Sequence, residues 1–392
     1  SVRASRRVSV GAALLLCVST LLAQESKPAV DEEIEVSEVS LLLRVTDVDG
    51  DYVYGLDVAD LELVVGRQKH AVAAVQELAS SHRTSDRAAS SEQAAIGATS
   101  LILIDSSGLT PRGRDRAVDL VADYLALEGA EKLILSVFGG QELRSIDGRI
   151  VGAAGIEKEL GRLRDSKTDV RLFRERTRAI EIVEGDNIRV KGDPFSGSCG
   201  DYPFRVGTVE QYSALVEKHN ELLAQAFVQL VEGAEERPWT ALYLLTEGIE
   251  REPGLELRER LLLSCKRRGG RGDVAQYLDA AWLVRMVKAA RASGVSIFPV
   301  DLGGLRLYDD ASLDLQSLLI RNLQVSQIDL ARNTGGKAVL NSNRPWQDLQ
   351  PILETAAPNY RVFVSSGLAE GERFEVRLRE PQGRELVVVR RP

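Results

Sequence analysis

Apolar and polar positions follow two rhythms along the chain, and each marks a different kind of element. Between residues 36 and 78 they alternate by two: Val36, Val39, Leu41, Leu43 and Val45, then Leu61, Leu63 and Val65, with Asp49-Gly50 as punctuation. A period of two reads as half-buried strands joined by tight turns. Residues 359 to 392 return to it in YRVFVSSG, FEVRLRE and LVVVRR, separated by Gly371, Pro381 and Gly383. Neither end offers enough strands for an independent core. The 36–78 and 359–392 regions are therefore expected to pair into one β-sandwich-like part.

Between these ends, apolar runs alternate with helical periods. Leu101, Ile102, Leu103 and Ile104 are apolar on both faces, and the runs 132–138, 239–246 and 295–300 share that character. Such runs fit central parallel strands covered by helices on both sides. Residues 143–146 read as a short third strand and 337–340 as a last one. After Pro111, Val118, Val121, Ala122 and Leu125 recur at helical spacing, and Ile156, Leu160 and Leu163 form the next helical face. A Lys/Arg-rich helix is expected over 169–182 and charged helices over 252–268. Tyr212, Leu215, Val216, Leu222, Leu223, Ala226, Phe227 and Leu230 mark an amphipathic helix, and 278–292 a strongly apolar one. Alternating strands and helices predict an α/β fold with a doubly wound, mostly parallel sheet. Residues 79–98 are rich in Ser and Ala without a period and read as a linker. The α/β domain is then expected over 99–357, with an insertion at about 184–235 where Gly, Pro and Cys199 break the rhythm.

Composition refines this picture. With 392 residues, 44% of them hydrophobic, the chain can bury at least one large core. Arg3, Arg6 and Arg7 precede an apolar run from Val8 to Leu22, and Ala23 follows as a small residue. That is the layout of a secretory signal peptide over residues 1–23, so the mature chain is expected outside the cytoplasm, periplasmic or extracellular. No later stretch is long and apolar enough to span a bilayer. The formal net charge of −8 becomes more negative once the three leader arginines are gone, which argues against a nucleic-acid partner. Cys199 and Cys265 remain, and export makes a disulfide between them chemically open. The three histidines, His70, His82 and His219, show no ligand spacing, so zinc has no support.

Candidate chemistry gathers where the 99–105 strand ends. Asp105, Ser106 and Ser107 stand at the carboxyl edge of the expected sheet, where open α/β folds bind ligands. Enzymatic signatures do not accompany them. There is no G-x-S-x-G elbow, and residues 331–337 match a phosphate loop only in their final Gly-Lys. Arg271-Gly272-Asp273 lies in an arginine- and glycine-rich stretch and reads as a solvated turn.

Asp105-Ser106-Ser107-Gly108-Leu109 resembles the first metal-binding loop, D-x-S-x-S, of the von Willebrand factor type A domain, with leucine in place of the last serine. Glu247-Gly248 is similar to that family's S-D-G, Asp301 to Leu305 to its V-D-x-x-G-L, and Leu330-Ala331 with Thr334-Gly335-Gly336 to its L-A-x-x-T-G-G. The segment from Val45 to Gln76 resembles the β-rich lead of the exported bacterial proteins related to this domain. The resemblance implies a von Willebrand factor type A-like, Rossmann-like sheet, flanked by an all-β part built from both chain ends. It also implies that Asp105, Ser107, Thr168 and Glu247 are what remains of a Mg²⁺ site. Leu109, the longer Glu247, and Ser166-Lys167 where glycines usually precede the threonine make that site degenerate. No cofactor is expected, with Mg²⁺ as the alternative. The implied function is a non-enzymatic, exported protein-protein interaction or scaffolding module that meets a protein partner at the carboxyl edge. Two alternatives stand beside it: a Mg²⁺-dependent adhesion domain with an incomplete site, and a hydrolase pairing Asp105 with Glu247.

Overall fold

The structure is a computed structural model that describes residues 39–47, 52–65, 68–70, 72–78, 99–165, 171–184, 202–233, 240–264, 280–305, 313–355, 359–364, 374–379, 381 and 384–390. The expected leader 1–23, the expected linker 79–98, Thr168, Cys199 and Cys265 lie outside these residues.

Strands from the two chain ends interleave. β1 (Val39–Asp47), β2 (Leu61–Val65), β3 (Gln68–His70) and β4 (Val72–Glu77) precede the α/β part; β10 (Tyr360–Val364), β11 (Phe374–Leu378) and β12 (Arg384–Arg390) follow it. One sheet runs β12-β1-β10-β4 and the other β11-β2-β3, with every pairing antiparallel. The period of two explains the core between them. Leu41, Leu43, Val45, Leu61, Leu63, Tyr360, Val362 and Val364 point to one shared apolar cluster. β1 also faces the other way, placing Leu42 in the core of the α/β part. Its neighbour Arg44 donates to the Gly335 carbonyl and lies over the Phe298 ring, 5.7 Å from its centroid.

The middle of the chain forms a five-stranded sheet in the order β7 (Leu143–Asp147), β6 (Leu133–Phe138), β5 (Thr99–Asp105), β8 (Thr240–Thr246), β9 (Val295–Asp301). Runs that are apolar on both faces occupy its centre because both faces are covered. Ile102, Ile104, Leu135, Val137, Tyr243 and Val300 pack with α1 (Pro111–Glu128), α2 (Gly148–Asp165, broken at Gly152) and α8 (Pro345–Thr355). Leu101, Leu103, Leu242, Leu244 and Ile297 pack on the opposite face with α4 (Tyr202–Glu232), α6 (Ala281–Ala292) and α7 (Leu313–Thr334).

β7 runs antiparallel to β6 on the edge of an otherwise parallel sheet, in keeping with a mostly parallel one. One local expectation is corrected. The expected 337–340 strand contributes only a single parallel bridge, Val339 to Val300. An edge position and a lone bridge leave no mark in hydrophobic periodicity, which reports burial and not strand direction.

A smaller core sits beside the sheet. α3 (Arg171–Glu184), the first half of α4 and α5 (Leu255–Ser264) pack through Ala179, Val183, Val209, Tyr212, Val216, Leu257 and Leu261. The second half of α4, from Leu223 to Val231, belongs to the sheet core instead. One helix of the expected insertion thus spans two cores, and its middle crosses the carboxyl edge of β5.

Candidate functional site

The site begins with the end of β5. Its last residue, Asp105, leaves the sheet just as the strand ends, and a turn through Gly108 leads to α1. Glycine is required there, since a Cβ at Gly108 would stand 2.4 Å from Asp105 Oδ2. The Gly108 amide donates to Asp105 Oδ1 at 3.2 Å, and the Ser107 hydroxyl donates to the same oxygen at 3.1 Å. Both residues are buried: Asp105 is 1% exposed and Ser107 6%. A carboxylate so far from water needs several donors to be tolerated.

The further donor comes from α4. His219 Nε2 lies 3.0 Å from Asp105 Oδ2, and Nδ1 of the same ring lies 3.5 Å from Ser107 Oγ. Phe138, at the end of β6, flanks the imidazole with ring centroids 5.7 Å apart. His219 is the residue that reading for ligand spacing passed over. Its signal was of another kind: it falls on the apolar face marked by Tyr212, Val216, Leu222 and Leu223, where a polar side chain needs a buried partner.

Glu247, at the exit of β8, turns toward α1. Its Oε2 accepts from the Thr110 amide at 3.1 Å and its Oε1 from the Thr110 hydroxyl at 2.5 Å. Thr110 Oγ1 in turn accepts from the Gly113 amide at 3.1 Å, capping the helix. An acid at a helix N-terminus is favoured by the unpaired amides there. Leu109 is fully buried in the sheet core, where its side chain packs among apolar neighbours.

The fit to Mg²⁺ can be judged from these contacts. That ion wants octahedral oxygen ligands at short range. Asp105 and Ser107 are together, but Leu109 is in the core, Glu247 holds Thr110, and an imidazole nitrogen faces Asp105. Among the described residues no group of three or more His, Cys, Asp or Glu is arranged to hold a metal. The residues described do not fit the ion, and no step of function is derived through it.

A second polar cluster anchors α4 one turn away. Glu250 accepts from the Tyr212 hydroxyl at 2.7 Å and the Gly254 amide at 2.7 Å, while Asn220 donates to the Glu250 carbonyl at 3.1 Å. Burial pushes the Glu250 carboxyl above its ordinary value of 4.5, and neighbouring Arg176 offsets only part of that. Arg176 itself pairs with Glu256. Two small cavities flank His219, each of about 120 Å³. One is lined by Ser107, Gly140, Lys218 and Leu222. The other is lined by Asp105, Thr110, Arg176, Tyr212, Glu247 and Glu250. Neither approaches the ~300 Å³ at which metabolite pockets begin. A larger groove of about 440 Å³ runs between α3 and α4 on their outer side, beside Arg178, Ile182, Phe204 and Leu215.

No family model matches the chain, and no curated protein matches it. Among solved structures, the chain is similar to the N-terminal domain of TFIIH p34, at 12% identity and a TM-score of 0.24, over 66% of this chain and 97% of that one.

Proposed function

We propose that the chain is an exported protein-interaction or scaffolding module of the von Willebrand factor type A-like kind, working without a metal ion and without catalysis. The observation that carries this reading is the pairing of Asp105 with His219. The first acid of the D-x-S motif faces the chain's own helix. Partner contact would then fall on the outside of α3 and α4, which overlie the carboxyl edge. Phe173 and Phe204 on these helices are 44% and 59% exposed, and aromatic anchors of this kind commonly carry binding energy. The hydrogen bonds of Glu247 to Thr110 favour a structural use of that acid over a role as one of two catalytic carboxylates. Among the described residues no helix is long and apolar enough to cross a membrane.

Site-specific photo-crosslinking tests the reading. A photoreactive residue at Phe204, in protein returned to the envelope of its source cells, should capture a discrete partner. The same group at Ile150, 82% exposed on α2, should capture none. Equal capture at both positions, or none at Phe204, would overturn the assignment of the surface.

A further inference from the structure

We infer that His219 is a resident ligand: a side chain that fills a cation-binding pocket from within and keeps external cations out of it. The inference concerns the pocket alone and stands whether or not α3 and α4 carry a partner surface.

Three observations converge on it. Both ring nitrogens face the cradle, Nε2 toward Asp105 at 3.0 Å and Nδ1 toward Ser107 at 3.5 Å. The ring therefore meets an oxygen of each of the two motif residues, Asp105 Oδ2 and Ser107 Oγ. Next, the two cavities of about 120 Å³ lie on either side of this ring, and both count His219 in their lining. Without the imidazole, the space between them would be bordered by Asp105 and Ser107, the carboxylate and hydroxyl that the ring now meets. Finally, His219 sits where α4 passes from the small core to the sheet core, between Val216 and Leu223. Packing on both sides fixes the backbone that presents the ring, so the contact does not depend on a flexible loop.

The physical reason for such a device is the cost of Asp105. A carboxylate that is 1% exposed must be compensated by donors or by a positive charge. Ser107 and Gly108 both serve Oδ1, and the imidazole serves Oδ2. Without His219, Oδ2 loses this donor and the space beside it opens.

The test is stability against two probes, imidazole and Mn²⁺, in the full chain. Unmodified protein should show no saturable rise in melting temperature with either probe in the millimolar range. His219→Ala should melt lower, and Mn²⁺, with or without a parallel response to imidazole, should recover the loss. Recovery by imidazole alone would show a pocket that takes an N–H donor and no ion, and would overturn the inference. Adding Asp105→Asn to His219→Ala should abolish either response. A saturable shift in unmodified protein, or a His219→Ala variant indifferent to both probes, would overturn the inference. If His219→Ala fails to fold, diethyl pyrocarbonate on the unmodified protein decides the matter. The exposed His70 should react and His219 should be spared. Modification of His219 at the rate of His70 would refute a ring held against Asp105.

Discussion

Asn359 acts as a missing piece of strand for Val45. Its side-chain oxygen accepts from the Val45 amide at 2.8 Å, and its side-chain nitrogen donates to the Val45 carbonyl at 3.0 Å and to the Val53 carbonyl at 2.9 Å. The Asn359 backbone meanwhile bonds Leu43 and Leu78. One buried amide therefore ties the start of β10 to β1 and to the segment after it, across more than 300 residues of chain.

Asn359→Ala should destabilise the fold by about 3 kcal/mol, since it removes the acceptor of the buried Val45 amide and the donor to the Val53 carbonyl, while the Val45 carbonyl keeps only the Val53 amide. Asn359→Asp should cost more at neutral pH, because a carboxylate cannot donate to the two carbonyls. Urea unfolding checks the size. Hydrogen exchange checks the place: protection should fall in β1 and β10 first, and loss confined to the α/β part would count against the assignment.

Glu250 gives a pH dependence with a definite sign. Its folded value is raised above 4.5 by burial, so the folded state binds the proton more tightly than the unfolded chain. The stability this contributes is complete below the ordinary glutamate range and is lost as pH rises through the raised value. Glu250→Gln keeps a neutral side chain that can still meet Tyr212 and Gly254. The difference in unfolding free energy between parent and variant should therefore move in the variant's favour as pH climbs from about 4.5. A difference independent of pH would show that the carboxyl is not held in this environment.

Leu109→Ser should destabilise the protein by about 3 kcal/mol and confer no response to Mg²⁺ while His219 is present. The leucine is fully buried in the sheet core, so serine leaves a cavity and places a hydroxyl among apolar neighbours. Restoring the letter of the D-x-S-x-S pattern does not restore its geometry. Thermal melts with and without Mg²⁺ read both effects, and a metal-dependent rise in this single variant would contradict the placement of the side chain.

Thr110→Val should cost about 1–2 kcal/mol, because the hydroxyl both caps α1 and donates to Glu247. Glu247→Gln in the same background should add little, since the hydroxyl contact is already gone. A double-mutant cycle measures the coupling; simple additivity would show that the two side chains do not share a bond.

Local burial was legible in the chain because it is written in periodicity. Leu101 to Ile104 are apolar at every position, which places them between two helical layers. The alternation of Leu41, Leu43 and Val45 assigns one face to a core and the other to a different neighbour. The position of Asp105 and Ser107 at a strand exit follows from where the apolar run stops. Partners separated along the chain are not written that way. His219 reaches Asp105 across 114 residues, and Glu247 reaches Thr110 across 137. Whether a side chain meets an ion, a helix cap or an imidazole depends on the rotation and tilt of α4 and on the turn after β8. Those are set by packing against α3, α5 and the sheet, and only the tertiary structure decides them, because a contact between distant segments is a property of two surfaces and not of either sequence alone.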